Sequence, residues 1–501
     1  MPAQDDSPQL GKATSVLALT TLLSLALACG GGGGGGGGND SAAPPRPTQV
    51  PLPVDPPAPS DPSTARIAVR NGDRASDGFV VGNIEDAALA SDGSVALIAS
   101  GVSGDLNAVL RQEADGSLET IFDESNAPAN VDLENLSRLR MAPTGELAFR
   151  SGSGLDADQL HLALANEVQT IAGTAGAIPP DFRTLGNFRV VTGGLVAFVG
   201  GGGECETETS GDSVRNLCTL SLYLANGSEV IRIDHPDFQL DRRQANDAQI
   251  AMNEEGELFF SVPGRRESPV VVRFDGQGAE SILRNNGELP EWGEVSRVDI
   301  VDLDSEGRLL VELGLPPLNP EDPVLDHVGL LDGNQFTEFA VEGAVEGDRS
   351  VFSLRGIGLG GGRALFEATL LDASTGEQSS CLRLGDATST IELVCEGDPF
   401  PGLDLEVFSI AGARINAGGD VLFVTSLGNR SDDTTRVEER RATVRRADGQ
   451  LVTIVTSADA DRLGTITELT TVGFNDAGQA LLIAERSRSS DRVLFLGDSR
   501  E

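Results

Sequence analysis

The chain is almost without lysine: Lys12 is the single one among 37 basic residues, and the rest are arginine. Aromatic residues make up 4% of the sequence, with one tryptophan, Trp292, and one tyrosine, Tyr223. The three histidines, His161, His235 and His327, stand far apart with no spaced partner. Each scarcity excludes something. Few aromatics leave Val, Leu, Ile, Ala and Phe to build the interior, and leave few platforms on which a sugar could stack. Isolated histidines offer no convergent set for zinc. No G-x-S-x-G elbow marks a nucleophile, and the glycine-rich stretches at 200–203 and 360–362 lack the lysine and helix of a phosphate cradle. Basic residues are outnumbered by 77 acidic ones, for a net charge of −40. Such a surface repels nucleic acid and anionic lipid, and no nucleic-acid partner is expected. The arginine bias itself reads as genomic composition or a salty habitat.

What the chain does have is a phrase repeated eight times: an apolar residue or two, a turn ending in glycine, then an alternating strand. The copies are LASDGSVALIAS, MAPTGELAFRS, VVTGGLVAFVG, MNEEGELFFSV, LDSEGRLLVEL, GLGGGRALFEA, INAGGDVLFVT and FNDAGQALLIA. Their shared glycines are Gly93, Gly145, Gly194, Gly256, Gly307, Gly362, Gly419 and Gly478, spaced 49 to 62 residues apart. A strand-type repeat of this period predicts an all-β, eight-bladed β-propeller. The loose match of the first and third copies leaves seven blades as the alternative. Segments such as VSRVDIVDLD, RLLVELG, HVGLLDG and FTEFAVEG give each unit four short alternating runs, the pattern of an antiparallel meander. The last unit lacks a fourth strand, and TARIAVRNGD at 64–73 resembles one. Residues 65–71 are therefore expected to pair with 492–496 and close the ring, which removes the open edges of the sheet. The recurring tryptophan that locks the blades of quinone-dependent dehydrogenases has no counterpart here.

Ahead of the repeats, 13–28 form a short apolar run ending in small residues, so 1–28 read as a signal peptide. LALAC ending at Cys29 resembles the lipobox of bacterial lipoproteins, which implies lipidation of Cys29, and Gly30 after it implies sorting to the outer membrane. Ala26-Leu27-Ala28 also fits an A-x-A cleavage site, which would yield a secreted or periplasmic soluble protein. Residues 29–63 then supply a cysteine anchor and a disordered tether: nine glycines followed by a proline-rich stretch. At about 3.1 Å per residue, the proline-rich part alone would reach roughly 70 Å. The remainder, 64–501, is expected to be one propeller domain. Four further cysteines suit an exported protein. Cys381 and Cys395 flank a hairpin centred near Thr388, and Cys205 and Cys218 bracket the insertion at 201–219, so local pairing of each couple is expected.

These phrases resemble a family of bacterial secreted repeat proteins whose units carry G-D-x-x-P-G followed by N-x-x-G-x-V-x-F, best matched at 396–423 and 474–483. The resemblance implies the propeller and an export route, and no activity. One segment has the look of chemistry: Asp302, Asp304 and Glu306 alternate like the start of a calcium loop, although Leu313 stands where a bidentate Glu belongs. The same residues form the ordinary repeat turn, and a plain acidic turn is the competing reading. The function expected from sequence is a cell-surface lipoprotein acting as a binding or structural module, attached to the membrane through its lipid only. A protein or glycan is the open ligand class. The alternative is a hydrolase or lyase using acidic residues or a bound cation, calcium being the candidate, at the channel mouth.

Overall fold

The structure is a computed structural model. It describes residues 64–500 apart from 103–106, 128–132, 153–158, 165–166, 174–181, 203–205, 211–212, 228, 234–238, 242–247, 254–255, 262–268, 277, 285–286, 316–322, 432–433, 459–465 and 487–491. The segments expected to be a signal peptide (1–28) and a tether (29–63, with Cys29) lie outside the described residues, as do Cys205 and His235.

Each repeat folds as a four-stranded antiparallel blade, and eight blades form a β-propeller ring. The first strands, in chain order, are Val81–Leu89, Ser137–Met141, Phe182–Val191, Gln249–Met252, Arg297–Leu303, Arg349–Gly360, Glu406–Ile415 and Ile466–Phe474. They line the central channel, and the later strands of each blade step outward from them. The eighth blade joins both ends of the chain: Arg66–Val69 pairs antiparallel with Arg492–Asp498, with Arg66 opposite Leu496 and Ile67 opposite Phe495. The expected closure is thus made, and eight blades replace the alternative of seven. The insertion in the third blade lengthens its third strand to Ser213–Ala225 and pairs it beyond the blade with Glu206–Ser210 and Gln239–Asp241.

The repeat phrase explains this geometry residue by residue. All eight shared glycines have positive φ, from 72° at Gly194 to 96° at Gly145. A residue with a Cβ is strained there, so glycine recurs where the first strand turns into the second. The alternating residues after it enter the seams between blades. Phe149, Phe198, Phe260, Phe366 and Phe423 are all buried on second strands. Among the described residues the buried apolar side chains gather into eight clusters, each filled from two consecutive blades, the last joining blade 8 to blade 1.

The asparagine of the turn has its own task. In blade 8 the Asn475 Oδ1 accepts the Gln479 N–H at 2.9 Å, holding the turn, while Nδ2 donates to the Ala90 carbonyl of blade 1 at 2.8 Å. Asn416 of blade 7 donates in the same way to the Asn475 carbonyl at 3.1 Å. Each such turn satisfies its own backbone and buttons one blade to the next.

Candidate functional site: an arginine ring in the central channel

Seven of the eight first strands carry a register shift part-way along; Gln249–Met252 alone pairs without one. Beyond the shift, one residue in every first strand pairs with the third residue after the shared glycine. These equivalent positions are Ala88, Arg140, Arg189, Ala251, Asp302, Gly358, Arg414 and Gly473. They form one ring, close to the hairpin end of the first strands. Three of the eight are arginine, in a protein whose net charge is −40.

The three arginines and Asp302 face a single cavity of about 640 Å³, a volume suited to a small-molecule ligand. Their side chains reach the lumen's water, yet the surrounding strands enclose them. Burial, followed by the charges of Arg140 and Arg189, pulls the Arg414 guanidinium below its ordinary pKa. Burial and Arg189 do the same to Arg140, against a smaller opposing pull from Asp86. A guanidinium stays charged under such shifts, so the channel keeps concentrated positive charge.

Protein acceptors use only part of this donor set. Arg140 Nη1 donates to the Leu139 carbonyl at 2.8 Å, and Arg189 Nε donates to the Ile250 carbonyl of blade 4 at 3.2 Å. Arg414 makes no hydrogen bond or ion pair among the described residues. A guanidinium has five N–H donors in a planar fork. Most of those in the ring are open to whatever occupies the channel.

The bulges that set the ring carry backbone strain at one point. Gly412, two residues before Arg414, has φ 55°, the left-handed conformation expected of glycine in a bulge. Arg138 occupies the corresponding place before Arg140, also at φ 55°. An L-residue there costs on the order of 1 kcal/mol. In return the Arg138 Nη1 donates to Asn187 Oδ1 at 2.8 Å, and Asn187 Nδ2 donates on to the Ala248 carbonyl at 2.7 Å. This relay ties blades 2, 3 and 4 together behind Arg140 and Arg189.

The residues singled out from sequence are distributed as follows. Asp302 belongs to the ring, but its carboxylate leans into the wall, where Oδ2 accepts the Leu359 N–H of blade 6 at 2.9 Å. Burial pushes its pKa up, opposed by hydrogen bonds from the Leu359 and Leu303 backbone. Asp304 and Glu306 sit in the following turn and converge on Arg308. Asp304 Oδ1 caps the Glu306 and Arg308 N–H groups, Oδ2 takes the Arg308 Nε at 2.8 Å, and Glu306 Oε2 lies 3.0 Å from Arg308 Nη2. Thus Asp304 and Glu306 are brought together, with Asp302 turned elsewhere. Cys381 and Cys395 stand opposite each other on paired strands and form a disulfide. With Glu392 they are the only group of three potential metal-ligand side chains among the described residues, and both sulfurs are already bonded. Cys218 lies in the long third strand of blade 3, and its expected partner Cys205 falls outside the described residues. His161 is fully buried, its Nε2 at 2.8 Å from Ser151 Oγ and its Nδ1 at 3.1 Å from Thr170 Oγ1. His327 Nδ1 meets Glu338 Oε2 at 2.5 Å beside Trp292.

No protein-family model matches the sequence, and no curated protein matches it. Solved propeller structures do. The chain is similar to an acylaminoacyl peptidase of Pyrococcus horikoshii (13% identity, TM-score 0.39), covering 80% of this chain and 57% of that one. It is similar to the propeller domain of the Trilobed protease of Pyrococcus furiosus (12%, TM-score 0.39), covering 75% and 96%. It is also similar to an oligogalacturonate lyase of Vibrio parahaemolyticus (10%, TM-score 0.38), covering 87% and 98%. The chain therefore spans little more than half the length of the first of these peptidases. The neighbours include peptidases and a lyase, and the likeness is one of fold.

The arginine ring is not among the sites expected from the repeats. A signal was present: Arg140, Arg189 and Arg414 each stand five residues before the shared glycine of their repeat.

Proposed function

We propose that the protein is an exported, surface-tethered propeller that acts as a binding module, and that its central channel receives a small anion. The observation that carries this reading is the convergence of Arg140, Arg189 and Arg414 from equivalent positions on one lumen. Grouping like charges in an enclosed space costs free energy, and an anion with acceptor oxygens offsets that cost through charge-assisted hydrogen bonds. The acidic exterior sharpens selectivity. It repels polyanions such as nucleic acid from the surface and leaves the positive potential inside the channel, where only a small ligand reaches it.

The tether belongs to the same reading. The lipobox-like LALAC, the lipid expected on Cys29 and the long glycine- and proline-rich segment hold the propeller clear of an outer membrane. The Cys381–Cys395 disulfide suits an oxidising compartment.

Calorimetric titration of the purified propeller with citrate and with inorganic phosphate tests the anion site. The wild type is expected to bind citrate, and the triple variant Arg140→Ala, Arg189→Ala, Arg414→Ala to lose at least tenfold in affinity. Equal affinity in the two proteins would remove the channel from the proposal. Mass spectrometry of the mature N-terminus tests the anchor separately, with a diacylglyceryl-modified Cys29 as the expected species and an unmodified terminus as the refuting one.

A further inference from the structure

The placement of the arginines around the ring narrows the ligand further, and this step rests on the anion-binding reading above. In a ring of eight, blades four steps apart face each other. Arg189 in blade 3 therefore faces Arg414 in blade 7, with Arg140 of blade 2 beside Arg189. The ring is not uniformly cationic. It has one pole of two guanidinium groups and, across the lumen, a second pole of one.

The equivalent positions elsewhere are small or withdrawn. Ala88, Ala251, Gly358 and Gly473 place no long side chain in the space between the poles. Two of these have a packing reason to be glycine: a Cβ on Gly473 would come within 2.7 Å of Leu89, and one on Gly358 within 3.0 Å of Ile415. Asp302 is drawn into the wall by the Leu359 N–H. Arg189 reaches the Ile250 carbonyl of the next blade, while Arg140 stays on its own strand at the Leu139 carbonyl. After burial, the charges of Arg140 and then of Arg189 reach Arg414 across the lumen, since both contribute to the lowering of the Arg414 pKa.

A single compact anion held at one pole leaves the other uncompensated. We infer that the channel's ligand is an elongated dianion, with one acid group held by Arg140 and Arg189, the other by Arg414, and an uncharged body across the small-residue stretch between them. Arg414 has the freer fork, with no protein acceptor among the described residues, and matches a planar carboxylate by two parallel N–H···O bonds. Tying two acid groups to one body makes the second contact intramolecular, so a diacid of the right length binds far more tightly than either half alone.

Linear dicarboxylates from succinate to suberate, titrated calorimetrically at constant ionic strength beside monocarboxylates of equal length, test this. One chain length is expected to bind at least tenfold more tightly than its monocarboxylate, with affinity falling for shorter and longer members. In Arg414→Ala and in Arg414→Gln that ratio is expected to collapse to about one, whereas Arg383→Ala, outside the channel, keeps it. Monocarboxylates binding as tightly as every dicarboxylate would overturn the two-pole inference and leave the anion site standing. A ratio unchanged by loss of Arg414 would overturn it equally. Failure of every anion to bind would overturn the anion site and this inference with it.

Discussion

Arg383, at the outer part of blade 6, is buried, whereas Arg414, in the channel wall of blade 7, is exposed to the lumen though crowded by the surrounding strands, and their surroundings treat them in opposite ways. Burial works against the charge of each. At Arg383 that effect is more than offset: Nη1 and Nη2 bind the two oxygens of Glu346 at 2.8 and 2.7 Å, Glu392 adds a contact at 3.1 Å, and the pKa lies above its ordinary value. At Arg414 nothing offsets it, and the charges that act on it are those of two more arginines, Arg140 and Arg189. One arginine is a fastener whose acceptors are built into the fold. The other has its acceptors missing among the described residues, and an arrangement of that kind persists when the acceptor comes from outside.

His161 sharpens the contrast by showing a third outcome, a basic group that stays uncharged. It is buried between two hydroxyls and stacks on Phe149 at 5.0 Å, and burial lowers its pKa to about 4. The unfolded chain holds the same imidazole near 6.5. Between these values the unfolded state binds a proton that the folded state does not. Its contribution is therefore complete above pH 6.5, is lost as pH falls toward 4, and changes no further below that. The span corresponds to roughly 3 kcal/mol, the largest effect expected here. Urea midpoints at pH 7 and pH 4.5 measure it against His161→Gln, in which the other titrating groups are retained. The wild type should lose markedly more stability than the variant over this interval. Equal losses would mean that the imidazole is not neutral in the folded protein.

The fastener comes next in size. Arg383→Met leaves Glu346 and Glu392 without their partner while keeping some of the buried aliphatic bulk. Both carboxylates are partly open to water, which reduces the penalty of stranding them. A loss of about 2 kcal/mol is expected in chemical denaturation, with citrate affinity unchanged. If stability held and binding fell, the roles assigned to the outer and inner arginines would be reversed.

The propeller was legible in the sequence because a tight strand-to-strand turn makes a demand that only glycine meets easily, eight times over. All eight glycines have the positive φ that the phrase implies. Closure was legible because Arg66–Val69 has the pattern of a fourth strand, which the last repeat lacks, and it pairs there with Arg492–Asp498. The Cys381–Cys395 pair followed from a hairpin whose length places the two opposite each other. The ring of arginines was hidden for equally physical reasons. In most copies it lies one residue before the repeating phrase begins, and only three of eight copies carry it, so whatever is common to the repeats omits it. Arginine is also nearly the sole basic residue of the chain, which makes each one look compositional. Above all, Arg189 and Arg414 become neighbours across a lumen only once the ring closes, and that relation leaves no local trace. Asp302 is the reverse case, a residue that its local pattern made conspicuous. Its alternation with Asp304 and Glu306 suggests convergence on a cation, whereas its Oδ2 accepts the Leu359 N–H of blade 6, a partner 57 residues away that no local pattern announces.

The smallest expected effect has the most informative sign. Replacing a buried, fastened arginine costs stability, whereas replacing Arg414 should slightly increase it. Arg414→Gln keeps much of the side chain's length, removes one of three mutually repelling charges from the ligand-free channel and breaks no hydrogen bond among the described residues. Because the lumen admits water, screening limits the gain to about 0.5 kcal/mol. Added citrate should invert the order: it stabilises the wild type in proportion to its occupancy and the variant much less, so the two thermal melting curves cross as citrate rises. A site whose removal stabilises the empty protein and weakens the loaded one is kept for binding. Should Arg414→Gln instead lower the melting temperature without ligand, Arg414 would be a fastener like Arg383, and the distinction between the two regions would fail at the residue on which it most depends.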